Sequence, residues 1–194
     1  MEFLNLASVR SCTEAEGPGK RFAIWVQGCR RRCPGCCNPE MQELRRNIIV
    51  DTAGLIRLIQ TARKDFEIEG ISLIGGEPLL QIDFLTELFM KAKAQGIHTC
   101  IDTSGIVFKP DNKVIVDKMD VLMQYTDLVM LDIKHIDPEE HMKLCSQPND
   151  GILAFAEYLS DKGIPTWIRH VVVPGITDNE KYLYQLGLFL GKLK

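Results

Sequence analysis

Residues 71–105 read ISLIGGEPLLQIDFLTELFMKAKAQGIHTCIDTSG, and their order decides the fold. The run 71–74 makes a short buried strand that Gly75-Gly76 stops. Phe84, Leu85, Leu88 and Phe89 then recur at helical spacing, and Gly96 stands where such a helix needs a residue to close it. A further β-branched run, 97–101, follows at once and ends in Asp102-Thr103-Ser104-Gly105. Strand, helix and strand in so short a span form the unit of a parallel sheet with helical crossovers.

Outward from this stretch the unit repeats. Upstream lies a strand at 22–26, then a helix that Asp51 and Thr52 cap, with Leu55, Ile56, Leu58 and Ile59 along one face and an end near Phe66. Downstream come a helix at 113–124, a strand at 128–133 and a first helical turn at Pro138. A helix at 152–162 closed by Gly163, a strand at 166–173 broken by Pro174-Gly175, and a helix at about 178–193 complete the series. The pattern predicts one α/β domain over residues 1–194, an open, partial TIM-like barrel of about five strand–helix units, fewer than the eight of a closed barrel. A doubly wound sheet is the alternative. In such folds functional groups gather at the carboxyl ends of the strands. Gly75-Gly76-Glu77, Asp102-Thr103-Ser104, and Asp132 with Lys134 fall there, as does the loop after the first strand.

The 194 residues are 45% hydrophobic and 25% charged, the balance of a soluble globular chain long enough for one sizeable core. With 23 Lys+Arg against 26 Asp+Glu the net charge is -3, which offers nucleic-acid phosphates no general attraction. No apolar run approaches the ~20 residues that span a bilayer, and Met1-Glu2-Phe3-Leu4-Asn5 lacks the basic and apolar regions of a secretory signal. A cytoplasmic location is expected. In a reducing compartment, seven cysteines point to metal or catalysis rather than to disulfides.

Four of the seven crowd into Cys29-Arg30-Arg31-Arg32-Cys33-Pro34-Gly35-Cys36-Cys37. Thiolates suit iron–sulfur clusters and zinc, and Pro34-Gly35 turns the backbone so that separate sulfurs face one centre. Side chains of the adjacent Cys36 and Cys37 diverge in an extended segment, so three of the four are expected on one centre. A structural zinc site wants four ligands, and no second cysteine pair or spaced histidine pair accompanies the loop. Arg30-Arg31-Arg32 either offsets the negative charge of the thiolates, meets an acidic partner, or is a solvated face. Cys12, Cys100 and Cys145 read as small buried hydrophobes. Phe22 and Trp25 read as core residues, and His98, His135 and His141 carry no assignment.

The spacing C-x3-C-x2-C at Cys29, Cys33 and Cys36, with Gly17-Pro18-Gly19 before it and Gly75-Gly76-Glu77-Pro78 after it, resembles the radical S-adenosylmethionine (SAM) superfamily. The phrases His98-Thr99-Cys100-Ile101-Asp102-Thr103, Asp127-Leu128-Val129-Met130-Leu131-Asp132-Ile133-Lys134 and Trp167-Ile168-Arg169-His170-Val171-Val172-Val173-Pro174-Gly175 resemble its glycyl radical enzyme activating branch, most of all the members that serve pyruvate formate-lyase. The resemblance implies a [4Fe-4S] cluster on Cys29, Cys33 and Cys36 with one iron left for the amino and carboxylate groups of SAM. Reductive cleavage of SAM would then yield a radical that takes a hydrogen atom from a backbone glycine of a partner enzyme, with flavodoxin or ferredoxin as electron donor and in an anaerobic setting. It assigns Gly75, Gly76 and Glu77 to the methionine moiety, Lys134 to the SAM carboxylate, and Arg169 to the adenosyl end. Asp102 joins the cofactor-binding set, and Asp102, Thr103, Met130 and Asp132 are assigned to a monovalent cation.

Plainer readings stand beside these. Gly75-Gly76 also makes an ordinary strand-to-helix turn, Asp132 and Lys134 a local ion pair, and Arg169 a structural salt bridge. Cys37 replaces the aromatic residue or histidine usual in the branch, and Ile24-Trp25-Val26-Gln27 resembles the activators of anaerobic ribonucleotide reductase. The resemblance also implies a sixth strand–helix unit, which these residues lack and without which the SAM site would be more open. A radical SAM enzyme acting on a small molecule and a zinc or redox-sensing module are the remaining alternatives.

Overall fold

The apolar runs pair side by side in the computed structural model, which describes residues 3–194. Its strands are β1 (Phe3–Thr13), β2 (Arg21–Val26), β3 (Ile48–Asp51), β4 (Gly70–Gly75), β5 (His98–Thr103), β6 (Leu128–Asp132) and β7 (Thr166–Arg169). The helices are α1 (Thr52–Phe66), α2 (Ile82–Lys93), α3 (Lys113–Met123), α4 (Pro138–Cys145), α5 (Asp150–Asp161) and α6 (Glu180–Leu190). The sheet order is β3-β1-β2-β4-β5-β6-β7, with β2, β4, β5, β6 and β7 parallel and β1 antiparallel to both its neighbours. It is an open α/β sheet, not closed into a barrel, as the strand–helix repeat predicts. No helix among the described residues is long and apolar enough to cross a membrane. Of the opening stretch read for a secretory signal, Met1 and Glu2 lie outside the described residues.

Period-two alternation sorts the two faces of the parallel strands. Ile71 and Leu73, Ile101, Val129 and Leu131 enter one large core with Leu55 and Ile59 of α1, Leu85 and Leu88 of α2, Met119 of α3 and Phe155 of α5. The intervening residues take the other face, where Cys100, Leu128 and Met130 form a small separate cluster. Two residues further along that face come Asp102 and Asp132. The register sets Asp102 beside Met130 and Asp132 beside Arg169, so the two carboxylates are staggered by two residues along one face.

Two strands go beyond the sequence reading. β1 carries only Leu4 and Leu6 as buried apolar residues before turning polar, and β3 is four residues long, so neither gives a strong periodic signal. Together they cover the outer edge of β2. The strand expected at 166–173 ends at Arg169. Thr177 folds the remainder back, since Val173 N–H donates to Thr177 Oγ1 at 2.7 Å and that hydroxyl donates to the Val171 carbonyl at 2.6 Å. Elsewhere the expected caps are present: the Asp51 carboxylate accepts from Gly54 N–H at 2.6 Å, and Pro138 opens α4.

Candidate active site

Above the carboxyl ends of β2, β4, β5, β6 and β7 lies a cavity of about 440 Å³, within the range of small-molecule sites. The cysteine loop forms one wall. Its entry is Gly28, at φ +102°, a left-handed conformation that favours glycine. Gly28 N–H donates to Met41 O at 2.9 Å and Cys29 N–H to Gln42 O at 3.1 Å, while Gln42 Nε2 donates to Cys33 O at 3.3 Å. Buried Gln27 donates from Nε2 to Glu40 O and Glu43 O. Residues 40–43 thus hold the loop shut behind its cysteines. Cys29, Cys33, Cys36 and Cys37 all line the cavity, and so does Cys145 from the end of α4.

The facing wall is the turn after β4. Gly75 takes φ +101°, and a Cβ on Gly76 would lie only 2.8 Å from the Gly28 carbonyl carbon and closer still to its oxygen. Gly76 N–H donates to Val26 O at 3.0 Å and Glu77 N–H to Gly28 O at 2.9 Å. The turn and the cysteine loop are therefore packed backbone on backbone. Gly75 and Gly76 line the cavity, but Glu77 does not. Its carboxylate is buried and accepts from Thr103 Oγ1 at 2.5 Å, Ser104 Oγ at 2.5 Å, Ser104 N–H at 3.1 Å and Leu79 N–H at 3.2 Å. Glu77 braces the end of β4 against the end of β5.

On the remaining side, Arg169 Nη1 and Nη2 meet the two oxygens of Asp102 at 2.7 and 2.6 Å, and its Nε donates to Asp132 Oδ1 at 2.9 Å. Lys134 Nζ donates to Asp132 Oδ2 at 2.5 Å. These four side chains line the cavity with Glu16, Trp25 and Thr103. Burial, with Arg169 acting against it, pushes the Asp102 carboxyl up to about 6. Burial would also raise Asp132, but Lys134 and Arg169 outweigh it and hold that carboxyl below the usual range.

The sequence matches the model of the radical SAM superfamily over residues 24–186. The chain belongs to that superfamily. It is 44% identical over 194 residues to the pyruvate formate-lyase-activating enzyme of Staphylococcus epidermidis, covering 97% of this chain and 76% of that protein. A solved domain of a pyruvate-formate lyase-activating enzyme from Bacteroides vulgatus is 31% identical with a TM-score of 0.56, covering 64% of this chain and 73% of that one. Streptococcus suis SuiB, solved with its precursor peptide SuiA, shares the fold at 19% identity and a TM-score of 0.69, over 86% of this chain and 35% of its own.

The radical SAM cluster needs thiol donors spaced round one centre. Cys29, Cys33 and Cys36 stand round one cavity with Cys37 and Cys145, and among the described residues no three His, Cys, Asp or Glu converge as a single metal ion requires. A wall of spaced thiols fits a cluster of several irons. The surroundings favour thiolates unevenly. Contact with Cys145, aided by Arg31 and Lys134, outweighs burial and holds Cys33 below the usual thiol range. Burial pushes Cys29 up to about 11 although Arg31 N–H donates to its sulfur at 3.4 Å. The donor set fits the group.

The cation assignment meets a different geometry. All four carboxylate oxygens of Asp102 and Asp132 are engaged by Arg169 and Lys134, and Thr103 Oγ1 donates to Glu77, while Met130, expected to offer its backbone, lies within β6. Glu16, Trp25 and Cys145 are cavity residues that the sequence did not single out, and His141, which carried no assignment, has its Nε2 3.2 Å from Nη2 of Arg31.

Asp102 supplies a pH test. Between about pH 4 and pH 6 the folded chain keeps a proton on Asp102 that the unfolded chain has released, so stability from this group falls as pH rises through that window. The variant Asp102→Asn has no such titration. Urea unfolding of both proteins at pH 4 and pH 7 is expected to show the native chain losing about 2 to 3 kcal/mol relative to the variant. A pH-independent difference would mean that Arg169 cancels the burial of Asp102.

Proposed function

We propose that this chain is a radical SAM activase that generates a glycyl radical on a partner enzyme of the pyruvate formate-lyase kind. The observation that carries the reading is a single cavity in which the loop cysteines, Cys29, Cys33 and Cys36 among them, face a glycine turn and a rim of two carboxylates, a lysine and an arginine. Cys29, Cys33 and Cys36 would hold a [4Fe-4S] cluster, and SAM would occupy the cavity beside it. When bound, the pair supplies one-electron reductive cleavage of a carbon–sulfur bond and a carbon radical strong enough to take hydrogen from glycine.

The protein's own residues bind and orient. Gly75 and Gly76 present backbone without Cβ, so polar main-chain groups can approach the amino end of a methionine moiety. Lys134, 30% exposed at its side chain, is placed to exchange part of its pairing with Asp132 for a ligand carboxylate. Arg169 holds Asp102 and Asp132 together and keeps their charge compensated while the cavity is filled. Glu77 keeps the turn fixed from outside the cavity. A monovalent cation belongs to this reading only if Arg169 leaves the two carboxylates as SAM binds. A flavodoxin or ferredoxin is the matching class of electron donor.

Protein reconstituted with iron and sulfide under anaerobic conditions is expected to be brown. With SAM, a reductant and pyruvate formate-lyase it should form 5'-deoxyadenosine together with a glycine-centred radical visible by electron paramagnetic resonance. Formation of 5'-deoxyadenosine with no radical on the partner would move the reading to small-molecule chemistry. A colourless protein without iron or sulfide would end both.

A further inference from the structure

The three consecutive arginines of the cysteine loop are not equivalent. Arg30 and Arg32 are exposed, whereas Arg31 is 4% exposed and lines the cavity with Cys29 and Cys33. Among the described residues no carboxylate forms a salt bridge with Arg31. Its Nη2 lies 3.2 Å from His141 Nε2, and its Nε is buried with no hydrogen-bond partner. His141 Nδ1 lies 2.7 Å from the Gln147 carbonyl, so the proton sits on Nδ1 and Nε2 accepts from Arg31. Burial brings His141 down to about 4, which keeps the ring neutral. A helix residue thus holds a buried guanidinium at the cysteine wall with its Nε–H unused.

An arginine is seldom buried without negative charge beside it, because desolvation of a lone ion is costly. Here the missing charge has an obvious place, since the cavity is lined by thiols. We propose that Arg31 is the charge-compensating donor of the sulfur-ligated cluster, held in place by His141, and that it makes the reduced state easier to reach; this rests on the cluster reading above. A fixed cation and an N–H donor beside cluster or cysteinyl sulfur stabilise the form that has gained an electron, so the reduction potential rises. Arg30 and Arg32 do not line the cavity, and Arg32 spends its Nη1 on the Cys29, Arg31 and Gln42 carbonyls, so both contribute less to it.

The test is a redox titration of the anaerobically reconstituted protein, followed by the electron paramagnetic resonance signal of the reduced cluster. Arg31→Met keeps the bulk of the side chain and removes the charge. Its reduced-to-oxidised ratio at a fixed potential is expected to fall about tenfold, the scale of one charged hydrogen bond. Arg31→Lys should retain most of the native ratio. His141→Leu, which removes the clamp, should shift it less and in the same direction. A fully loaded Arg31→Met protein that titrates like the native one overturns the inference. If Arg31→Met takes up no iron, the His141→Leu titration decides, a shift supporting the role and an unchanged potential overturning it. A native protein that takes up neither iron nor sulfide removes the cluster reading itself, and the inference with it.

Discussion

Cys33→Ala protein, reconstituted without oxygen, is expected to hold almost no iron and sulfide and to cleave SAM no faster than buffer, whereas Cys37→Ala should keep both properties. Cys33 occupies the centre of the loop, its sulfur 3.9 Å from the Cys145 carbonyl. Contact with Cys145 and the nearby Arg31 and Lys134 hold the Cys33 thiol below its usual range, which favours the form that binds metal. Cys37 is exposed, and its sulfur accepts from Asn38 Nδ2 at 3.4 Å. Four of the cavity cysteines other than Cys33 are unaltered in the Cys33→Ala chain, so the comparison asks whether position or mere thiol number selects the ligands. Iron and sulfide assays on the two variants answer it. Retention of the cluster by Cys33→Ala, or its loss from Cys37→Ala, would reassign the ligand set.

The second large effect is expected at a residue with no functional group. Gly76→Ala must place a methyl against the Gly28 carbonyl, 2.8 Å from its carbon, where backbone rather than a flexible side chain is in the way. Gly28 precedes Cys29 directly and accepts the Glu77 N–H at 2.9 Å, so neither segment can yield without disturbing the other. Overpacking of this kind costs about 1 to 3 kcal/mol. Urea unfolding should show that loss, and the cluster content after reconstitution should drop several-fold because Cys29 is displaced. Gly187→Ala in α6 is the control. A Cβ there meets nothing within 4 Å, so the same measurements should show unchanged iron and equal or slightly higher stability. Equal behaviour of the two variants would mean that the turn tolerates a side chain.

The strand–helix order was legible because the parallel strands are short, mostly apolar runs and the helices between them carry apolar stripes. β1 was not, because only Leu4 and Leu6 of its eleven residues are buried apolar side chains. The cysteine loop and the strand-end polar residues announced the cavity by spacing alone. Which of them face it depends on register, and sequence does not carry register. Glu77 sits in the most conspicuous motif yet its carboxylate is used up by Thr103 and Ser104 from another strand. Asp102 and Asp132 read as an oxygen site for a cation, but Arg169 crosses from β7 to claim both. His141 lies 110 positions from Arg31, and nothing local in either segment signals their contact.

The abutment of Gly76 on Gly28 joins the sulfur-bearing segment and the opposing turn into one mechanical part. Movement on either side is transmitted to the other. A displacement of the sulfur-bearing segment should therefore reach the opposing turn, and one of the turn should reach the sulfurs, without any side chain relaying it.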